Sequence, residues 1–358
     1  MTYTLALRLR APALAHPQRL LLRVEGERIA DVEYRPDLGG GSPFPLGRYT
    51  VDALVTVGAA LCPYCGVAHA LAICQAIEAI AEVQVPPRAA ALRTLVAELE
   101  RVASHLATVG ELFVALGRTD AAQLMREQSE AARNALKLLA GSPPGCWVVP
   151  GGVASDPGAV DLAPYVEMAA SALDRLFKLT DRLVGARGLL ARTVEVGVIS
   201  SSAAQQMALS GPLARASGLR MDLRHDAPYA AYASLRPELI TQEGGDVYAR
   251  MLVLILEALE SLKLIERAAA DPPGGPAQCV LPIQLPDGVG VSSVEAPRGA
   301  LRYQVESVEG ELRLLSCRAA PQLDRLLTRM MLIGNTLDSA ALIALSSDPC
   351  GMCLKLTY

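Results

Sequence analysis

Apolar and polar positions alternate over residues 2–10 and 20–35, and again between about 279 and 315. This period-2 pattern predicts β-strands. Within residues 20–35, Gly26 predicts a tight turn between two successive strands. Between these stretches the chain is rich in Ala and Leu at helical spacing. The spacing predicts helices from the first Cys pair to about residue 83 and over 86–116, 119–139, 157–190, 244–269 and 320–345.

Long helices in the middle and strands at the flanks predict a mainly α chain with small β appendages. This is an α+β fold around a central long-helix bundle. We divide the chain into an N-terminal β-hairpin region (1–48), a helical bundle core with the first Cys pair (49–270), and a C-terminal part (271–358). The last part holds a small β region, a helix and the second Cys pair, and all three belong to one integrated domain.

Composition narrows the function classes. The chain has 358 residues, of which 51% are hydrophobic and 4% aromatic, and a formal net charge of −4. This balance gives no electrostatic footprint for nucleic acid.

The most apolar run, Met251 to Leu262, is broken by Glu257 and Glu260, so we expect no direct membrane span. Arginines within the apolar N-terminus argue against a secretory signal, and we expect a cytoplasmic protein whose apolar surface is covered by partner subunits.

Four of the eight cysteines form two Cys-x-x-Cys pairs near opposite ends of the chain, Cys62 with Cys65 and Cys350 with Cys353. In a large cytosolic chain, such pairs indicate metal binding or catalysis rather than disulfides. Four thiolates can hold zinc, an Fe–S cluster or nickel, and spacing alone leaves these open. The other four cysteines are predicted to fill the core.

The residues around these pairs resemble motifs of the large subunits of nickel–iron hydrogenases. Asp348-Pro349-Cys350 with Cys353 matches the family's Asp-Pro-Cys-x-x-Cys motif in full. The first pair matches Arg-x-Cys-Gly-x-Cys-x-x-x-His in both cysteines and in the histidine, His69. Glu295 to Gly299 is similar to the family's Glu-Ala-Pro-Arg-Gly segment.

The resemblance covers essentially the whole chain. Several interior segments are similar to the energy-converting, membrane-associated hydrogenases and to the quinone-site subunit of respiratory complex I. They are Glu98–Leu106, Gly211–Gly218, Asp222–Arg224, Pro228–Tyr229 and Gly245–Arg250. Because the complex I subunit lacks the four cysteines, the resemblance places this chain on the hydrogenase side.

The resemblance implies the ligand set of a nickel–iron centre. Cys62 and Cys350 would be terminal nickel ligands, while Cys65 and Cys353 would bridge nickel to an iron that carries diatomic ligands. Soft thiolates suit such metals, and a metal-bound thiolate such as Cys350 can accept the proton when hydrogen is split.

It also implies residues around the metals. Arg298 would lie over the iron, with Pro297 and Asp348 shaping the same canopy and Asp348 orienting Arg298. His69 lies one helical turn after Cys65 and would donate to a cysteine sulfur. Catalysis is therefore expected of Cys350, Arg298 and Asp348.

The implied function is interconversion of H2 with protons and electrons, which pass to a complex I-like Fe–S small subunit. Further subunits would hold the protein peripherally at the inner face of the cell membrane. Two departures from the family bear on activity. No glutamate lies between Tyr34 and Ala60, where relatives carry a proton-accepting glutamate, and Ala60 and Pro63 replace an Arg and a Gly of the first motif.

Two other interpretations stay open. In one, the chain is a non-catalytic, complex I-like coupling or scaffold subunit. In the other, the cysteines hold a structural zinc ion or Fe–S cluster in the same fold. Among the remaining polar residues, Glu100 and His105 are interpreted as members of a polar network. Arg215, Asp222, Arg224 and His225 are interpreted as a structural ion-pair cluster.

Overall fold

The computed structural model describes residues 2–9, 18–36, 47–158, 160–319 and 324–349. The second predicted Cys pair, Cys350 and Cys353, lies outside these residues.

Helices form the larger part of the described chain. They are α1 (Val51–Ala60), α2 (Gly66–Ala81), α3 (Pro87–Ala115), α4 (Thr119–Ala140), α5 (Ala163–Val184), α6 (Arg187–Thr193), α7 (Ser201–Gln206), α8 (Gly211–Arg215), α9 (Leu223–Asp226), α10 (Tyr232–Leu235), α11 (Val247–Ala270), α12 (Arg325–Leu332) and α13 (Ala340–Ser346). Short 3-10 turns lie at Pro144–Trp147, Val160–Leu162 and Leu337–Ser339.

The strands are β1 (Thr2–Leu9), β2 (Gln18–Glu25), β3 (Arg28–Pro36), β4 (Arg48–Tyr49), β5 (Val148–Val149), β6 (Gly152–Val153), β7 (Gly288–Ala296), β8 (Gly299–Val308) and β9 (Glu311–Ala319). Neighbouring strands pair antiparallel in three sheets, ordered β1-β2-β3, β4-β9-β8-β7 and β5-β6. In the first sheet, the alternation of apolar residues puts Leu20, Leu22 and Val24 into the core.

The buried helix α3 lies at the centre of the fold. It packs against α4 and α11, and α11 in turn packs against α5. Pro87 starts α3 at its first turn, where a missing amide hydrogen costs nothing. The Asp246 carboxylate caps α11 by accepting from the amide of Ala249. Helix α2 packs between β7 and α3, which places the first Cys pair beside both.

The predicted α+β class is confirmed, but two predicted helices are wrong in extent. The single helix over 157–190 is two helices, because α5 ends at Val184, just before Gly185, and α6 begins at Arg187. The single helix over 320–345 is also broken. There Gly334, with a φ of 86°, turns the chain so that Gly334 and Asn335 form backbone hydrogen bonds with Ile29 of β3.

None of the helices within the described ranges is both long and apolar enough to cross a membrane.

Candidate functional site

The first Cys pair lies on the short connection between α1 and α2. Cys62 and Cys65 are both buried, with 2% and 5% of their surface exposed. The two helices approach so closely that a Cβ atom on Gly66 would lie 2.4 Å from the carbonyl oxygen of Ala59. Only glycine therefore permits this approach, which brings both cysteines into the interior.

A buried carboxylate holds the start of α2. Cys65 is the N-cap residue of this helix but makes no capping hydrogen bond with its side chain. The Glu100 carboxylate of α3 caps the helix instead. It accepts hydrogen bonds from the backbone amides of Val67 at 2.8 Å and Ala68 at 3.0 Å. Burial raises the pKa of Glu100 to about 7, even though the two amide donors favour the charged form.

His69 points from α2 to the second sheet. Its side chain is fully buried, and its Nδ1 lies 2.7 Å from the hydroxyl of Tyr303 on β8, with the rings edge to face. Tyr303 also hydrogen-bonds the thiol of Cys317, whose pKa burial raises to about 11. No local pattern predicts this contact, because Tyr303 lies 234 positions from His69 in the chain.

Arg298 and Asp348 form a nearly buried ion pair. Arg298 follows buried Pro297 in the turn between β7 and β8. Its Nη2 donates to Asp348 Oδ1 at 2.9 Å and its Nε to the Asp348 carbonyl at 3.2 Å. The Thr108 hydroxyl of α3 donates to the same carboxylate oxygen at 2.8 Å. Asp348 has a positive φ of 47°, an uncommon conformation that these three contacts hold in place.

Tyr64 connects this ion pair to the first Cys pair. The residue stands between Cys62 and Cys65, and the Arg298 guanidinium lies 5.6 Å from the centre of its ring. Arg133 of α4 lies 5.0 Å from the same ring. Both distances are within the range of cation–π attraction. The turn of β7–β8, the segment before Cys350 and the first Cys pair therefore meet at one place.

A cleft of about 460 Å³ opens beside the cysteines. Cys62, Tyr64 and Glu100 line its inner wall, and Arg133 and Lys137 of α4 line it on the exposed side. A cleft with apolar walls and a few polar groups is typical of a small-molecule or partner site.

A buried ion network lies behind the site. It joins residues of five elements: Glu98 and Arg101 of α3, Arg215 of α8, Asp222 and Arg224 at α9, Glu257 of α11, and Glu295 of β7. Burial would raise the pKa of Glu257, but Arg215 and His105 bring it down to about 2.

This network places β7 firmly and so fixes the start of the Arg298 turn. The structural interpretation of Arg215, Asp222 and Arg224 agrees with these contacts. His225 does not belong to the network, because its side chain is exposed and contacts only its neighbour Asp226 among the described residues.

Within the described ranges, no group of three or more His, Cys, Asp or Glu side chains is arranged to hold a metal ion. Two of the four predicted thiol ligands, Cys62 and Cys65, lie within these ranges. The other two, Cys350 and Cys353, lie outside the described residues.

Comparison with known proteins assigns the family. Residues 144–282 match the family model of the respiratory-chain NADH dehydrogenase 49 Kd subunit. The chain is also 30% identical over 370 residues to the carbon monoxide-induced hydrogenase of Rhodospirillum rubrum, covering 99% of both chains. This chain belongs to the family of the complex I 49 kDa subunit and its hydrogenase relatives.

The chain is similar to two further proteins over nearly its whole length. The chain is 29% identical to formate hydrogenlyase subunit 5 of Escherichia coli K12, covering 94% of this chain but only 60% of that relative. A solved chain of the membrane-bound sulfane sulfur reductase, an archaeal respiratory membrane complex, superposes with a TM-score of 0.86. That chain is 26% identical and covers 98% of this one.

For this member of the 49 kDa subunit family, sequence reasoning missed two residues at the site, Thr108 and Tyr303. It assigned Glu100 only to a polar network.

Proposed function

We propose that the chain is the metal-bearing large subunit of a hydrogenase-type complex that interconverts H2 with protons and electrons. The family assignment supports an oxidoreductase subunit of this kind. The four cysteines of the two pairs, with Arg298 and Asp348, support the nickel–iron form of it.

One observation carries the proposal. Asp348, two positions before Cys350, is paired with Arg298 at 2.9 Å, and Arg298 stacks on Tyr64 between Cys62 and Cys65. Residues from the two distant Cys motifs therefore share one arginine. Such convergence is what a centre held by both pairs requires.

Cys62, Cys65, Cys350 and Cys353 would hold the metals. When bound, a nickel–iron centre with diatomic ligands on iron supplies a redox-active site at which H2 is split. Two other cysteines do not suit this role. Burial raises the pKa of the Cys74 thiol, which donates to the Val148 carbonyl, and it also raises the pKa of Cys317.

The protein side chains have separate tasks around that centre. Arg298 presents a fixed guanidinium, because Asp348 and the Tyr64 ring restrain it. Glu100 holds a proton at its carboxylate, since burial brings its pKa to about 7 and it lines the cleft beside Cys62. It is our candidate for the role of the glutamate that is missing between Tyr34 and Ala60.

Partners follow from the same proposal. Relatives are named as subunits of membrane-bound complexes, among them the membrane-bound hydrogenase subunit alpha of Pyrococcus furiosus. We propose that a small Fe–S subunit accepts the electrons and that further subunits attach the chain peripherally to a membrane.

The test is hydrogen-dependent dye reduction by the anaerobically purified complex, together with its nickel and iron content. We expect both metals and measurable reduction. Cys62→Ser should remove the nickel and the activity, whereas the control Cys74→Ser should keep both. A complex with neither nickel nor activity would contradict the proposal.

A second candidate is a coupling subunit without hydrogen chemistry. The missing glutamate favours it, and so does the close structural similarity to a sulfane sulfur reductase chain, since this fold also serves a complex with another named activity. If this candidate is right, Cys350→Ser leaves electron transfer through the whole complex unchanged.

A further inference from the structure

A small cavity of about 20 Å³ adjoins the Arg298–Asp348 pair. Leu213 of α8 and Leu254 of α11 form its apolar wall. Its polar wall is formed by Arg298, Asp348 and Arg250 of α11, together with Ser346 and Ser347. The cavity lies on the side of the ion pair that faces α11, whereas Tyr64 belongs to the other cleft.

Arg250 is a buried cation whose hydrogen-bond partners are all neutral. Only 1% of its surface is exposed. Its Nε donates to the Ser346 hydroxyl at 2.9 Å, and its Nη1 to the carbonyls of Gly197 and Gly245 at 2.9 and 2.8 Å. Burial lowers its pKa to about 10 although Asp246 opposes the shift. Within the described chain, its Nη2 has no hydrogen-bond partner.

Asp348 has the complementary unsatisfied atom. Its Oδ1 accepts from Thr108 and Arg298, but its Oδ2 is buried and finds no donor among the described residues. A buried polar atom without a partner loses its hydration without compensation, so native proteins rarely leave such atoms without a hydrogen bond.

The size of the cavity and the two unpaired atoms that face it favour a water molecule over an ion. A cavity needs roughly 10–15 Å³ to hold one water molecule and two to four polar partners to retain it. An anion would satisfy Arg250 Nη2 but would be repelled by Asp348 Oδ2, and a cation would have the reverse problem. A water molecule accepts from the one and donates to the other.

We propose that this cavity binds a single water molecule that bridges Arg250 Nη2 and Asp348 Oδ2. Through this water, Arg250 acts as a positioning residue for Asp348 and hence for Arg298. Helix α11 is thereby linked to the site, although Arg250 touches neither Arg298 nor the first Cys pair through any described hydrogen bond. The water site is independent of the proposed function, and only its effect on catalysis rests on it.

The test is a structure of the intact complex at a resolution that shows ordered water, with a matched crystal soaked in bromide. We expect one water peak within hydrogen-bond distance of both atoms and no bromide signal. An empty cavity, or an anomalous bromide peak in it, would overturn the proposal.

Two variants and a control extend the test. Arg250→Met should lose the water and lengthen the contact between Arg298 Nη2 and Asp348 Oδ1. Arg250→Lys, which keeps the charge if the Met variant does not fold, should shift the water or lose it. Arg267→Met, on an exposed part of the same helix, should change neither. An unmoved Asp348 carboxylate in both Arg250 variants would refute the positioning role.

These results are separable from the proposed function. A water peak in a complex without nickel supports the water site and refutes the metal centre. A nickel-containing complex in which the cavity holds no water supports the metal centre and refutes the water site.

Discussion

At the residue scale, the site depends on a few side chains that combine charge with burial. Arg298 is restrained by Asp348 on one side and by the Tyr64 ring on another, so its guanidinium has little freedom. Glu100 accepts a hydrogen bond from the first turn of α2, and its burial raises its pKa so that it binds a proton near neutral pH. Each residue leads to its own prediction.

Arg298→Lys tests the role of the guanidinium. Lysine keeps the positive charge but cannot donate in a planar fork to both Asp348 oxygens that Arg298 contacts. We expect a loss of about 10²-fold in hydrogen-dependent dye reduction, comparable to the removal of one oriented donor, with nickel and iron content unchanged.

The control for this change is Arg302→Lys, which alters an exposed arginine on β8. It should retain full activity. If Arg298→Lys is as active as this control, Arg298 is not part of the catalytic site.

Glu100→Gln tests the burial of the carboxylate through the pH dependence of stability. Because the folded pKa is raised from 4.5 to about 7, the folded chain holds a proton that the unfolded chain has released in this pH window. The contribution of Glu100 to the free energy of unfolding should therefore be full below about pH 4.5 and fall by about 3 kcal/mol as pH rises to 7.

Denaturant unfolding of the chain at several pH values measures this effect. We expect the decline between about pH 4.5 and 7 to be smaller in Glu100→Gln by that amount. Glu130→Gln, which changes an exposed carboxylate of α4, should leave the slope as it is in the unmodified protein. Parallel curves for all three proteins would contradict the assignment.

Some residues of the candidate site could be predicted from the sequence, and others could not. Arg298, Asp348, the first Cys pair and His69 were found because short motifs carry them. Thr108 and Tyr303 were not, since their partners Asp348 and His69 are 240 and 234 positions away, and no local pattern encodes that pairing.

At the element scale, close approaches of backbone position the site. Gly66→Ala would put a methyl group 2.4 Å from the Ala59 carbonyl oxygen and force α1 away from α2. We expect a loss of about 1–3 kcal/mol in the free energy of unfolding, measured by denaturant titration. Gly188→Ala in α6, where nothing lies within 4 Å, should be neutral or slightly stabilising. Equal stability of the two variants would show that the approach is not tight.

The buried ion network joins elements that the sequence leaves far apart. Arg215→Met would leave Glu257 and Glu295 without their main cation. We expect a loss of about 3–5 kcal/mol in the free energy of unfolding, because uncompensated charges would remain buried. Arg318→Met, on an exposed position of β9, should cost far less. A similar small loss in both would show that the network adds little to stability.

Helix and strand positions were largely predictable from the sequence, and their breaks were not. The Ala- and Leu-rich pattern continues through Gly185 and Gly334, so it predicts two uninterrupted helices. The chain breaks at Gly334 because pairing with β3 satisfies the backbone there. Such tertiary contacts override local spacing.

At the scale of the whole molecule, the fold brings the start of α2, the turn of β7–β8 and the segment after α13 to one place. The cysteines, the ion pair and the buried network are supplied by elements spread over almost the entire chain. We propose that sulfur atoms from both Cys pairs hold one nickel–iron centre there.

Anomalous diffraction from crystals of the anaerobically prepared complex, recorded across the nickel, iron and zinc edges, would locate these metals and identify them. We predict one nickel and one iron peak beside Cys62 and Cys65, with Cys350 and Cys353 completing the ligands. A single zinc peak, or no metal beside Cys62 and Cys65, would refute the nickel–iron centre, and the family fold alone would remain.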